Sequence, residues 1–207
     1  MRNKAGVLCM LLGAALVIGA LVLFLVNQQT SRAAEDFSRN MIPALQEEIA
    51  GAQGTGSMDL AALDNVPVEL LDSEDVIMTE KIIGGYAYIG YLTVDKLGLE
   101  LPVMSGWSSD QLQISPCRFS GTVRGENLVI MAHNYKSHFG SLAQLQEGDE
   151  VQFADMDGKV WKYQVVVTDI LDAEEVAAMT AGEYDLTLFT CASNRSQRIT
   201  VRCNKVK

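Results

Sequence analysis

Hydrophobic and polar positions divide the chain into three stretches of different periodicity. From Ala5 to Val26, 22 consecutive residues include no Asp, Glu, Lys, Arg, His or Pro. Such a run predicts one helix about 33 Å long, enough to cross the hydrocarbon core of a bilayer. Next, Phe37, Met41, Leu45 and Ile49 recur every four residues. That spacing predicts a helix with one apolar stripe, ending before Gly51. From Ile82 onward the period shortens. Strand-like runs appear at Gly84–Val94, Leu99–Met104, Asn127–Ala132, Asp149–Ala154, Lys159–Thr168, Asp185–Cys191 and Arg198–Lys205. Asp157-Gly158, between two alternating runs, predicts a hairpin turn. Leu171 to Met179 suggests a short helix or loop. Many short strands with little helix predict a mainly β domain, an antiparallel barrel or sandwich.

Composition changes the picture only after this division. The chain is 48% hydrophobic, yet its net charge is −10. The apolar excess belongs largely to residues 5–26. Residues 27–80 hold eleven acids and two bases, a net −9. Residues 81–207 hold fifteen acids and twelve bases, only −3. This balance argues against nucleic-acid binding through bulk charge. Arg2 and Lys4 precede the apolar run, so the N-terminus is expected on the cytoplasmic side and the rest outside. A cleaved signal peptide is the competing reading, but the run is long and Leu23–Gln29 lacks a small-x-small site. Cys9 is read as a packing or lipid-facing residue. The expected organisation is a tail at 1–4, an anchor at 5–26, a stem at 27–80 and a domain at 81–207. Gly51–Ser57 reads as a flexible linker. The stem is read as a solvated spacer, with a fold-back of residues 59–80 as a lid the competing reading.

The chemistry-bearing residues cluster late in the chain. The exported part has three cysteines, Cys117, Cys191 and Cys203, so at least one thiol is left outside any intrachain disulfide. Cys191 closes a strand just before a polar loop. Cys203 alternates with Ile199 and Val201 and is expected in the core, with Arg198, Thr200 and Arg202 on the other face. Cys117, beside Pro116, is uninformative. His133 follows an apolar run at a strand end, and His138 lies five residues on. Taken alone, either reads as an ordinary surface histidine. Their spacing does not suit a helical metal pair, so no metal and no cofactor are expected.

Thr187-Leu-Phe-Thr-Cys191 matches the TLxTC signature of sortases, membrane-anchored cysteine transpeptidases of Gram-positive bacteria. Tyr88–Lys96 with Leu101–Val103 resembles the first barrel strands of that family. Asn127–Asn134, then Phe139–Leu142, Leu145 and Gly148-Asp149, resembles its histidine segment. Gln197–Arg202 resembles its arginine strand. The resemblance spans residues 82–206. It implies a closed antiparallel β-barrel with Cys191 as nucleophile, His133 as acid/base and Arg198 as oxyanion or substrate-carbonyl donor. Arg195 and Arg202 compete for the last role, and His138 falls off the catalytic position. Ala132 stands where many members have Gly. Arg198 follows Cys191 by only seven positions. Thr190 is read either as a substrate-positioning hydroxyl or as an ordinary strand residue.

The implied reaction is acyl transfer. A thiolate attacks a peptide carbonyl, and an amine then releases the acyl-enzyme. With ordinary thiol and imidazole acidities, on the order of 1% of molecules near pH 7.5 hold thiolate and imidazolium together. Imidazolium can protonate the leaving amine, and a permanently charged guanidinium suits the oxyanion. The resemblance implies LPxTG-like sorting signals on secreted proteins as substrates. It implies a cell-wall precursor amine or a pilin lysine as acceptor. No aromatic lid motif beginning Asp-Pro and no second apolar span appears, which weighs against pilin joining. The Leu171–Asp185 connection is short for many class B members, although Asn134–Gly140 has some class B character. The rivals are a pilin-joining sortase, a hydrolytic membrane-anchored cysteine peptidase and an inert binding module. The order His133, Cys191, Arg198 disfavours a papain-like fold.

Overall fold

The computed structural model describes residues 4–54, 78–181, 183–192 and 196–206. Helix α1 (Lys4–Gly54) is continuous for 51 residues and carries Pro43 within it. Side chains from Gly6 to Gln29 are exposed, as expected for a stretch whose apolar partner would be lipid. Anchor and stem helix therefore form one rod. The stem half is not a solvated spacer. Its Ile42, Leu45 and Ile49 are buried against Tyr88, Met104, Leu112, Cys117 and Met156. The four-residue stripe had an owner, the outer wall of the domain. Burying Leu45 completely contributes about 2 kcal/mol. Residues 55–77, which include most of the expected linker and lid segment, lie outside the described residues.

Among the described residues nine strands follow. They are β1 (Lys81–Ile83), β2 (Tyr86–Val94), β3 (Leu99–Met104), β4 (Cys117–Ser120), β5 (Leu128–Met131), β6 (Glu150–Asp155), β7 (Val160–Asp172), β8 (Leu186–Cys191) and β9 (Gln197–Lys205). Short helices α2 (Ser109–Ile114) and α3 (Val176–Met179) interrupt them. The sheet order is β1-β2-β3-β4-β5-β8-β9-β7-β6, and a β2–β6 pairing closes strands β2 to β9 into a barrel. The expected closed barrel is present. Six of its pairings are antiparallel, as is the β1–β2 pairing outside it, whereas β3–β4 and β5–β8 are parallel. Parallel neighbours need a crossover. Residues 105–116 with α2 supply the first, and β6 with β7 supplies the second.

Local chemistry accounts for two sharp features. At the closure, Gly90 sits at φ +145, and a Cβ there would lie 2.0 Å from the Ala154 carbonyl oxygen. Only glycine lets β2 and β6 approach that closely. In the β6–β7 hairpin, Asp155 Oδ1 accepts from the backbone N–H of Asp157 and Lys159 at 3.1 and 2.9 Å. Its Oδ2 accepts from Trp161 Nε1 at 2.7 Å. The Asp-Gly turn read from sequence is this loop.

The barrel interior holds Ile89, Leu92, Leu128, Ile130, Phe153, Tyr163, Leu186, Leu188 and Val201, with Cys203 among them. Cys203 is in the core, as its alternation predicts. Burial of its thiol, and of Cys117 in the cluster under α1, pushes each up to about 12. Along β7, Tyr163 and Val165 alternate into the interior. A bulge between Val165 and Val167 then shifts the register, so Val167 leaves that face.

Candidate active site

The parallel pair β5–β8 and the antiparallel pair β8–β9 bring three chain segments to one end of the barrel wall. Met131 is registered with Phe189. Beyond the end of β5 the ladder continues, with the Ala132 N–H donating to the Phe189 carbonyl at 3.2 Å. His133 follows at once, and Cys191 lies two residues beyond Phe189. Across the next ladder Thr187 faces Arg202, Phe189 faces Thr200, and Cys191 faces Arg198. Directly opposed residues share a face of the sheet. Cys191 and Arg198 therefore project from the same side, while Leu186, Leu188 and Thr190 point to the other. Cys191 is a half-buried free thiol, unlike the fully buried Cys117 and Cys203.

Thr190 is 1% exposed, and its hydroxyl donates to the Ala132 carbonyl at 2.8 Å. That bond ties the residue before Cys191 to the residue before His133. The hydroxyl is thus committed to the backbone on the interior side of the wall.

The outer face is not open to solvent throughout. Val129, Phe189 and Met179 form a second small core, with Phe119, Met131 and Leu171 packed against it. Arg202 staples its roof. Its guanidinium donates to the carbonyls of Met179 at 3.1 Å and Ala178 at 2.6 Å, and to Thr187 Oγ1 at 3.3 Å. Asp169 lies 3.8 Å from Nε. Arg202 and Thr200 are therefore buried, although alternation alone places them opposite the core. The covering segment 173–180 is what buries them. Arg198, nearer the strand start, donates to its own neighbour's carbonyl, that of Gln197, at 3.1 Å. Arg195 lies outside the described residues.

Aromatic residues flank the site in a way that sequence reading missed. Trp107 is half exposed and stacks on Phe119 at 6.0 Å, and Phe119 meets Phe189 edge-on at 5.4 Å. This aromatic row ends two residues from Cys191. A lone Trp in the Gly/Ser-rich stretch Ser105–Ser109 was the available signal. On the other flank, Tyr135 is sandwiched between the rings of His133 and His138, at 4.9 and 5.6 Å. Burial pushes the Tyr135 hydroxyl up.

His138 corrects the expectation of a surface histidine, because it is completely buried. Three backbone bonds fold the loop inward. The N–H groups of His138 and Gly140 both donate to the Tyr135 carbonyl, and that of Phe139 donates to His133 O. Gly140 permits this, since a Cβ there would lie 2.6 Å from the Tyr135 carbonyl oxygen. Burial and the neighbouring His133 hold the His138 imidazole down to about 4, only partly opposed by the Ile114 backbone. Neither of its ring nitrogens meets hydrogen-bond geometry. Among the described residues no group of three or more His, Cys, Asp or Glu could hold a metal ion.

Comparison with known proteins follows from this geometry. Residues 92–206 match a family model described as the Sortase domain. Sortase C of Streptococcus pneumoniae has a similar structure, with a TM-score of 0.61 at 22% identity, covering 81% of this chain and 97% of that one. Sortase C1 of the Group B Streptococcus pilus island 1 gives 0.60 at 19%, covering 82% and 92%. A Clostridium perfringens sortase D5 transpeptidase gives 0.58 at 16%, covering 83% and 99%. At these identities the likeness carries the fold alone. A search of curated proteins finds no match.

Proposed function

This chain belongs to the sortase family of transpeptidases, and we propose that it works as a cysteine transpeptidase on sorting-signal proteins at a membrane surface. The observation that carries the reading is the Cys191–Arg198 cross-strand pair beside the end of β5, where His133 begins. In this scheme the Cys191 thiolate attacks the Thr carbonyl of an LPxTG-like signal. The C–N bond breaks, a thioester forms, and His133 protonates the leaving amine. An acceptor amine from a cell-wall precursor or a pilin lysine then attacks the thioester, giving a proton to His133 and freeing the Cys191 thiolate as the C–S bond breaks. Arg198 supplies a fixed positive charge where each tetrahedral oxyanion develops. Thr190 acts from behind by tethering the two catalytic strands.

The aromatic row from Trp107 to Phe189 suits an apolar peptide lying along the wall. Helix α1 serves as the single-pass anchor, with the N-terminus inside and the barrel outside. The test is full-length protein in detergent, incubated with an LPxTG-like peptide and a glycyl amine. Mass spectrometry is expected to find the amine-linked product with wild type and none with Cys191→Ala. Hydrolysed peptide without amine product would replace this reading with a peptidase.

A further inference from the structure

The rod-like continuity of α1 fixes where the barrel sits relative to the bilayer. The apolar run ends at Val26, so Asn27 marks the edge of the hydrocarbon core. Arg32, five residues on, stands about 7 Å higher along the axis. A headgroup layer is roughly 5–8 Å deep per leaflet. At this same level the helix touches the loop that follows His133. Ser137 Oγ donates to the Ser31 carbonyl at 2.8 Å, and the two serine hydroxyls lie 3.1 Å apart. With α1 as the anchor, residues 134–137 come level with the headgroups.

A cleft of about 830 Å³ runs between α1 and the barrel from Phe24 to Gln46, passing this level, and Cys191 does not line it. Phe24, Asn27 and Arg32 line it from the helix, and Leu97, Tyr135 and Lys136 from the domain. Phe24 belongs to the apolar run itself, so the cleft opens into the bilayer edge. Two acids also line it, but both are engaged. Glu35 pairs with Arg39 at 2.7 Å, and Glu100 accepts from Gln46 at 3.1 Å. Among the described residues Arg32 and Lys136 hold no ion pair. The lower end thus offers two cations above an apolar wall.

We propose that this cleft holds the headgroup of an anionic lipid from the leaflet on the barrel side. The phosphate would lie between Arg32 and Lys136, and the first methylenes against Phe24 and Leu97. A basic group at a membrane surface favours anionic lipid by about fivefold. The cleft volume falls within the range of roughly 300–1,000 Å³ typical of small-ligand sites. The proposal rests on the reading that α1 spans a membrane.

The test places the full chain in phosphatidylcholine nanodiscs containing a minor share of phosphatidylglycerol. Lipids that stay bound are counted by native mass spectrometry. Phosphatidylglycerol is expected to be enriched at least fivefold over its share. Arg32→Gln and Lys136→Gln should each cut the enrichment about fivefold. Lys162→Gln, on β7 and outside the lining of the cleft, should leave it unchanged. No enrichment, or enrichment that survives the double variant Arg32→Gln/Lys136→Gln, would overturn the site. Displacement of the lipid by 10 mM inorganic phosphate (a concentration on the order of ten thousand times a micromolar Kd) would reassign it to free phosphate. A chain that fails to enter nanodiscs would overturn the membrane-spanning reading and the lipid site together. Peptide transfer in detergent reads the proposed function separately. Lipid enrichment without transfer would leave the site standing and remove the transpeptidase reading.

Discussion

Cys191 and Arg198 are direct partners across the β8–β9 ladder, separated by only the short loop that joins the two strands. Opposed residues in an antiparallel pair hold their Cβ atoms about 5 Å apart. A long, planar, permanently charged side chain is thus rooted beside the thiol without any contribution from a flexible segment. Arg198→Lys keeps the charge but loses the forked donor geometry. We expect kcat to fall about 100-fold, with the melting temperature unchanged within error. Near-normal turnover would remove Arg198 from the mechanism.

The Thr190 tether makes a different prediction. Thr190→Val keeps the shape but leaves the Ala132 carbonyl without its 2.8 Å donor. The stability cost is about 1–2 kcal/mol. If the bond aligns His133 with Cys191, kcat drops about fivefold at constant KM, and Thr190→Ser restores it. A change confined to KM would instead favour direct substrate contact by the hydroxyl.

Thiol reactivity should follow burial. Cys191 is half-buried, whereas Cys117 and Cys203 are enclosed and their thiols pushed up to about 12. Alkylation of the native protein at pH 7.5, followed by peptide mapping, should modify Cys191 at least tenfold faster than either buried cysteine. Equal rates would contradict the packing of β8 and β9.

His138 is held neutral in the fold, down to about 4 from the ordinary 6.5. The unfolded chain takes up a proton below about pH 6.5, while the folded one does so only near pH 4. Stability therefore falls as the pH drops from 6.5 to 4, by on the order of 3 kcal/mol at the low end. Urea midpoints at pH 7 and pH 4.5 should diverge more for wild type than for His138→Gln. Parallel shifts in the two proteins would show that other groups carry the acid sensitivity.

Helix α1 docks through a few side chains, of which Leu45 is fully enclosed. Leu45→Ala should cost about 2–5 kcal/mol of that docking. Hydrogen exchange in residues 34–50 should rise strongly, with strands of the barrel core unaffected. Uniform protection in the variant would mean that the helix is held elsewhere.

Sequence pattern determined much of this protein on its own. A 22-residue run without charge or proline specifies a span-length helix, because at about 1.5 Å per residue it is long enough to cross a hydrocarbon core. Alternation located most of the strands, the Asp-Gly hairpin and the buried Cys203, because the strand period is a local property of the backbone. The motif around Cys191, with the His133 and Arg198 segments in order, carried the family. Tertiary structure decided what depends on neighbours distant in sequence. Two parallel pairings and the β2–β6 closure fix which strand ends meet. The stripe from Phe37 to Ile49 reads equally well as a solvated helix or a docked one, and only the wall of Tyr88, Met104 and Cys117 resolves it. Thr200 and Arg202 sit on the face opposite the core, yet a covering segment buries them, and period-2 alternation carries no information about a second layer. His138 is buried because three backbone bonds turn its loop inward, and strand alternation carries no information about the path of a loop.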